Sequence, residues 1–533
     1  MPCNVERNRM ERDIDTMPNK KTWLSITMIL CVAGIIMFVF LGTHPLLDPD
    51  EPVYAETARE MLQSQDFISP RIYGDFWYDK PPMYYWMVAA AFKTFGMSEF
   101  AARFPSAVFA VSGAVLVYLS GRKLFSECAG LLAALVLVTS LEYFYLGNAA
   151  VTDMTLTFFL TAALLAFLHR KYYLLYGFVA LAALTKGPVA IFFCGVIIIL
   201  FQVLTGNVKM LKTMKVVRGS LLFAAIALPW YAAMYSFHGM AFIDTFLGFH
   251  NVTRFLQPEH AAGAIWYYYI PVLILGFFPW SAFLAQALFT GLKEKGKYYN
   301  TCVFLVIWAA VVFVFFSVSQ TKLVSYILPM YPPLALLIGY YFDKVWTEKQ
   351  YRALNVSAVV FGIVAALLIT GLFYAGTVVA ELLPAVKVMA VLLALLAVSV
   401  LFQSARLNFR AVFTTHVLGM MLFLAFLMTQ TIPLITPELS VKPFVNEFKQ
   451  QYDGQAPVYV EKFYRPGFMY YSGMAGIELS SEDLKAITTG ESERAYFVMK
   501  KKNYEKLSPE IQEKLRLLIV QKDKVLLLYE RKD

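Results

Sequence analysis

The sequence predicts an all-α polytopic membrane protein, of about thirteen transmembrane helices plus outer interfacial helices, that ends in a small α/β soluble domain. Three observations predict it. Of the 533 residues, 59% are hydrophobic and only 16% charged, too little polar surface to cover a soluble chain of this length. Thirteen apolar runs of about 15 to 23 residues follow one another, each long enough to cross most of a bilayer core. From about Glu438 the long runs stop and short helix and strand patterns replace them.

Residues 1–21 are a polar tail with Arg7, Arg9, Arg12, Lys20 and Lys21, a cytoplasmic segment by the positive-inside rule. The apolar run that follows has no small-residue cleavage site and reads as an anchor rather than a removable signal. The runs lie near 22–42, 105–121, 129–147, 154–168, 172–185, 188–205, 219–236, 266–288, 302–318, 323–342, 354–376, 385–403 and 411–430. With the tail inside, every second loop should be basic. These loops carry Arg122 and Lys123; Arg170 and Lys171; Lys209, Lys212, Lys215 and Arg218; Lys293, Lys295 and Lys297; Lys344, Lys349 and Arg352; Arg406 and Arg410. The surplus of 46 Lys and Arg over 37 Asp and Glu is therefore a topology signal and does not point to nucleic acid. The five cysteines form no CxxC site and no disulfide framework.

The register holds only if PPMYYWMVAAAFKTFG, Pro81 to Gly96, does not cross; its Tyr84, Tyr85, Trp86 and Lys93 suit a helix at the outer interface. The membrane domain is then 22–435, with an outer catalytic loop at 43–104, and residues 436–533 form an outer domain. In that domain VKPFVNEFKQQ and NYEKLSPEIQEKL have helical spacing, PVYVE and AYFVMK read as strands, and LRLLIVQKDKVLLLYER reads as a closing hairpin.

The unusual polar residues fall on one side of this topology. Asp50 and Glu51 in DPDEPVYAETAREM, Asp79 and Lys80 in YDKPPMYYW, Asp153 in AVTDMTLTFF, and Lys186 in LTKGPVA all lie in outer segments. So do Arg254, Glu259 and His260 in HNVTRFLQPEHAAGAIWYY, and Lys322 and Tyr326 in QTKLVSYILP. A charge near hydrocarbon costs about 2.5–3.5 kcal/mol, so such groups face a cavity or one another. Each also has a plainer reading: Asp50 and Asp153 as helix caps, Lys186 and Lys322 as snorkelling ends, His260 as a structural histidine. Together they are the parts needed for phosphate-ester chemistry. Lys80, Lys186, Lys322 and Arg254 offset phosphate charge, Tyr326 donates a hydrogen bond, and Asp50 takes a proton or orients an acceptor. Asp79 with His260 can hold one divalent cation, although two ligands do not choose the metal.

At these residues the sequence resembles the GT-C membrane glycosyltransferases that use polyprenyl-phosphate sugars. It is similar to the bacterial branch that contains the lipid A aminoarabinose transferases, related to the protein O-mannosyltransferases. The matching pieces are DPDEPVYAE, YDKPPMYYW, FAARFPSA, VTDMTLTFF, LTKGPVA, the EH…WYY stretch and KLVSYILP, across roughly 45 to 335. The resemblance implies inverting transfer of one sugar, with aminoarabinose the first to try, from undecaprenyl phosphate on the outer face of the bacterial inner membrane. The acceptor it implies is lipid A or another envelope glycolipid. It makes Asp50 the acid nearest the reaction and Asp153 its supporting acid. Glu51, Tyr54, Lys80, Lys186, Arg254, Lys322 and Tyr326 become substrate contacts, and Asp79 with His260 the ligands of one divalent metal ion. The chain departs from the branch in having Asp79 where Glu is common before the lysine, and Pro52-Val53 where a basic residue is common. Two rivals are the same chemistry on another sugar or a protein hydroxyl, and a lipid-sugar transporter. The latter calls for a polar midplane site and paired repeats, and neither is found in the sequence.

Overall fold

The computed structural model describes residues 20–257, 265–349, 351–480, 482, 484 and 494–531. Helix covers each of the thirteen apolar runs. Seven described helices are long and apolar enough to cross a membrane, and nine spans result when two bent pairs are counted. The pairs are Glu127–Val138 with Leu141–Gly147, bent by 67°, and Tyr269–Gly276 with Trp280–Lys293, bent by 107°. Three further apolar helices, Thr152–Leu168, Tyr172–Lys186 and Val189–Leu204, are only about 25 Å long at 1.5 Å per residue, short of a bilayer core of about 30 Å. The chain is a multi-pass membrane protein, as expected. Length and composition alone therefore leave the count of thirteen unconfirmed.

One helix, Glu99–Leu124, orients the rest. Ser98 caps it, its side chain accepting from Ala101 N, with Glu99 in the first turn and Arg122 and Lys123 in the last, all complementing the helix dipole. Beyond its C-terminal end three of the basic loops meet. Ser126 Oγ donates to Asp343 Oδ2 at 2.6 Å, Tyr298 Oη to the Phe125 carbonyl at 3.2 Å, and Lys344 Nζ to Glu294 Oε2 at 2.9 Å. Its N-terminal end, about 39 Å away, meets the first loop and the C-terminal domain.

That loop contains a helix, Asp50–Ser64, a two-strand hairpin, Arg71–Ile72 with Asp75–Phe76, and a second helix, Met83–Phe95. The second helix has 13 residues, too few to cross. It packs against the helices Asp50–Ser64 and Glu99–Leu124, Tyr84 Oη lying 3.0 Å from Ser106 Oγ and the Tyr84 and Tyr85 rings against Tyr54.

The C-terminal domain holds a five-stranded sheet in the order Ile477–Glu478, Val458–Val460, Arg494–Lys500, Lys524–Glu530, Leu515–Gln521. The first three strands are parallel and the last two pairings antiparallel. Alternate residues of Arg494–Lys500 feed two cores, Tyr496 and Val498 on one face and Phe497 and Met499 on the other, the period-2 rule of strands. The expected helix over NYEKLSPEIQEKL is two, Lys501–Tyr504 and Pro509–Lys514, because the residue before a proline is pushed out of helical backbone. The last span continues through Ile432–Leu439, so the domain proper begins just after Leu439.

The domain docks on the first loop through backbone groups. Val441 N donates to Asp48 Oδ2 and Leu46 N to Tyr471 Oη, both at 2.7 Å, and Arg59 Nη1 to the Tyr470 carbonyl at 3.1 Å. Lys442 pairs with Glu99 at 2.5 Å. Gly467 faces Asp48 so closely that a Cβ there would lie 2.1 Å from Oδ1.

Candidate active site

Segments far apart in sequence meet beneath the first loop around a cavity of about 300 Å³. Lys186 closes its helix, where Gly187 at φ 80° turns the chain and leaves room for Phe246, whose ring a Cβ at Gly187 would meet at 2.8 Å. The next contribution comes from Asp244–Thr253, a π-helical stretch, a widened turn that often marks functional sites. Arg254 follows it directly. Asp79, Lys80, Asp153, Lys186, Arg254 and Tyr326 all line the cavity. Apolar walls, Phe192, Phe246, Phe315 and Phe316 among them, complete it. Phe192 is also 43% exposed on the outside of its helix, so the wall continues to the flank that lipid would cover.

Asp79 is the most crowded group. Its Oδ1 accepts from Lys80 Nζ at 2.7 Å, with His250 Nδ1 at 2.8 Å and Arg254 Nη1 at 3.4 Å from the same atom. Burial opposes ionisation of Asp79, and Lys80, His250 and Arg254 overcome it, holding the carboxyl well below the usual range. Beside this cluster Lys186 Nζ donates to Asp153 Oδ1 at 2.7 Å and stands 4.7 Å from the centre of the Tyr326 ring. Lys186 is therefore an ion-paired cavity residue rather than a snorkelling end.

The capping readings fail too. The helix of Asp50 starts at that residue, with Pro49 before it and no side-chain cap; Asp153 likewise caps nothing, its helix being preceded by Val151. Among the described residues nothing hydrogen-bonds the Asp50 carboxylate. Burial comes first, and the charges of Asp153 and Asp79 next, in pushing its carboxyl up, with Lys80 opposing. Asp50 is thus an open carboxylate within electrostatic reach of the cavity.

Three expected contacts sit elsewhere. Glu51 is 4% exposed and saturated: Arg103 Nε and Nη2 donate to its two oxygens at 2.8 and 2.7 Å, and Leu47 N and Ala150 N add one bond each at 2.7 Å. It is a structural knot and not a substrate contact, because no lone pair faces the cavity. Tyr54 is packed with Tyr84 and Tyr85 behind the acids rather than on the cavity wall. Lys322 is buried behind the wall, its Nζ donating at 2.6 Å to the carbonyl of Ser319, which lines the cavity. Glu259 and His260 lie outside the described residues.

The sequence reading missed His250 and Arg103. Both stand in segments it singled out, HNVTRFLQPEH and FAARFPSA. Among the described residues no three His, Cys, Asp or Glu side chains converge on a cation position; Asp79 and His250 are a pair, and the Asp79 oxygen they share already takes Lys80.

A helical membrane bundle with short outer helices carries one cation-rich cavity under the first loop, as the resemblance to membrane glycosyltransferases implies. Comparison with known proteins agrees. Residues 79–232 match the dolichyl-phosphate-mannose-protein mannosyltransferase family. The undecaprenyl phosphate-alpha-4-amino-4-deoxy-L-arabinose arabinosyl transferase of Pectobacterium atrosepticum is 30% identical over 372 residues, 66% of this chain and 65% of that protein. An uncharacterised protein of Aquifex aeolicus is 30% identical over 332 residues, 60% of this chain and 64% of its own length. The match thus spans just under two thirds of these relatives. The crystal structure of ArnT from Cupriavidus metallidurans bound to undecaprenyl phosphate superposes with a TM-score of 0.79 at 22% identity, covering 96% of this chain and 98% of that one. The helical membrane fold with a small C-terminal α/β domain and the resemblance read from the sequence are both borne out.

Proposed function

We propose that the chain transfers a single sugar, 4-amino-4-deoxy-L-arabinose in the first instance, from undecaprenyl phosphate to lipid A or another envelope glycolipid, on the periplasmic face of the bacterial inner membrane. The observation that carries the reading is the cavity: Lys80, Lys186, Arg254 and Tyr326 on one wall system, beside a carboxylate, Asp50, that no described residue hydrogen-bonds. The names of the relatives supply the sugar and the carrier.

In this reading the donor phosphate enters the cavity with its polyprenyl tail along Phe192. An acceptor oxygen attacks the anomeric carbon from the face opposite the phosphate, the carbon–oxygen bond to phosphate breaks, and the carrier leaves as undecaprenyl phosphate. Negative charge grows on the leaving phosphate, and Lys80, Lys186, Arg254 and the Tyr326 hydroxyl stabilise it in a low-dielectric site. Asp153 holds Lys186 in place. Asp50 receives the proton of a hydroxyl acceptor, or orients an acceptor phosphate that carries none. A divalent cation remains part of the proposal in one form: Asp79 with a histidine, His250 or His260, would hold it. It would add Lewis-acid stabilisation at the phosphate; chelation that leaves turnover unchanged removes it.

The test is mass spectrometry of lipid A and total polar lipids from cells carrying the wild-type chain or Asp50→Asn. A mass increment on lipid A that vanishes in the variant is expected. No difference in any lipid would move the acceptor to a protein hydroxyl, the reading that the mannosyltransferase family match favours.

A further inference from the structure

The helix Val216–Ile243 joins the catalytic cavity to a second one at its other end. Its C-terminal end runs into the π-helical stretch that carries Phe246 and His250. Its first residues, Val216, Val217 and Arg218, line a cavity of about 390 Å³ together with Leu211, Lys212 and Lys215. From Val216 to the kink at Gly239 is about 35 Å at 1.5 Å per residue, so the two cavities stand at opposite faces of the membrane. The second is built by contacts from two neighbouring helices: Tyr176 Oη donates to the Met214 carbonyl at 3.2 Å, and Gln202 Nε2 to Met214 Sδ at 3.4 Å. The Tyr176 ring lies over Gly219 so closely that a Cβ there would be 2.0 Å from it. Lys215 is held at φ 52°, left-handed backbone that costs a residue with a side chain about 1–2 kcal/mol, and the helix starts at the next residue.

The charge of this cavity is unmet. No Asp or Glu occurs from Met154 to Ile243. Lys212, Lys215 and Arg218 are all exposed, and among the described residues none of the three forms an ion pair or a side-chain hydrogen bond; Lys215 Nζ lies 4.7 Å from the centre of the Tyr173 ring. Other basic loops are neutralised within the chain, Arg122 by Glu127 at 3.8 Å and Lys344 by Glu294 at 2.9 Å. The rim beside the cations is apolar and faces outward. Val217 is 76% exposed and Leu221 66%, and the span that begins here is only 17% buried within the chain, so lipid covers it.

We infer that this cavity is a binding site for an acidic phospholipid of the leaflet opposite the catalytic cavity. The phosphodiester sits among Lys212, Lys215 and Arg218, whose guanidinium fork suits phosphate oxygens, and the acyl chains run along Val217 and Leu221. A basic pocket between membrane helices is the usual seat of such a headgroup. A zwitterionic lipid brings its own ammonium group and leaves the three cations in surplus, whereas an acidic one offsets them; a free phosphate would leave the apolar rim without a partner. The inference goes beyond the proposed transfer reaction and does not depend on it.

Native mass spectrometry of the full chain, released from nanodiscs of mixed phosphatidylglycerol and phosphatidylcholine, tests it by counting the lipids that stay bound. Wild type should retain phosphatidylglycerol about tenfold over phosphatidylcholine, the size of one charge-assisted hydrogen bond. The double variant Lys212→Ala with Arg218→Ala should lose that preference. Lys295→Ala with Lys297→Ala, which removes the same charge from another basic loop, should keep it, and soluble glycerol phosphate should not displace the lipid. Equal retention of the two lipids by wild type, a comparison that needs no variant, would overturn the inference. So would an equal loss in both double variants, which would mean a general surface charge rather than a site, or displacement by glycerol phosphate, which would mean a free-anion site. Sugar transfer is not read in this experiment, so its failure in cells would strike the proposed function alone.

Discussion

The Glu51–Arg103 knot and the Asp79–Lys80 cluster are both ion pairs of 2.7 Å in or against the first loop, yet their surroundings differ. Around Glu51 every hydrogen-bonding site is filled by Arg103 or by a backbone N–H, and Arg103 in turn donates to the carbonyls of Leu41, His44 and Pro45. Around Asp79 three positively charged or ionisable donors crowd one oxygen, and the cations face an open cavity. The first arrangement is closed and holds the loop to the bundle; the second holds more positive charge than Asp79 needs and can exchange a partner for a phosphate. Saturation, rather than charge or burial, separates the structural acid from the catalytic candidates. Asp50 makes the same point, since it is adjacent to Glu51 in the chain, about 100° away around the helix, and has no hydrogen-bond partner among the described residues.

The sharpest way to break this comparison is to neutralise the two neighbours separately. Asp50→Asn should lower transfer by about 10² to 10⁴, the range for a lost general base or positioning acid, with thermal stability unchanged. Glu51→Gln should do the reverse, leaving Arg103 buried without its counter-charge at a cost of about 3–5 kcal/mol, read as a lower Tm and less folded protein. If Asp50→Asn unfolds the chain and Glu51→Gln is only inactive, the assignment is exchanged. Next in size, Lys80→Ala removes one charged contact of about 1.5–3 kcal/mol. It should raise the apparent KM for the lipid-linked donor more than tenfold, while Lys322→Ala, behind the wall, should act through stability.

How far the site could be read from sequence follows from the same geometry. Charge parity of the loops placed Asp50, Asp79, Asp153, Lys186, Arg254 and Tyr326 on one side, and all but Asp50 line one cavity. Periodicity could not separate Asp50 from Glu51, because adjacent residues share every local signal and differ only in which face of the helix meets Arg103. His250 escaped because its position depends on the widened π-helical turn over Asp244–Thr253, which has no pattern in hydropathy. Span counting by length gives seven to nine among the described residues rather than thirteen. Helices such as Tyr172–Lys186 are cut short where Gly187 turns the chain into the cavity, so function shortens the elements that topology rules expect to be long. In the C-terminal domain, where alternation alone sets the strands, the hairpin Leu515–Gln521 with Lys524–Glu530 lies where LRLLIVQKDKVLLLYER places it.

The smallest effect tests whether the docked C-terminal domain titrates with the loop it covers. Glu56 is wholly buried on the first-loop helix; its Oε1 pairs with Arg59 at 2.7 Å, and its Oε2 has no hydrogen-bond partner among the described residues. Arg59 in turn donates to the Tyr470 carbonyl of the domain. Burial pushes the Glu56 carboxyl up to about 7, against the pull of Arg59 and with a small push from Glu60. The folded chain therefore keeps a proton that the unfolded chain has already lost between its ordinary value and 7. Stability from this group is complete at acid pH and is lost as pH rises through 7, by about 1–3 kcal/mol. Tm of the purified full chain should fall from pH 5 to pH 8.5, and Glu56→Gln, which keeps an acceptor for Arg59 without the titrating proton, should flatten that slope. A slope that persists in Glu56→Gln would assign the titration to another group and leave the Arg59–Tyr470 contact indifferent to pH.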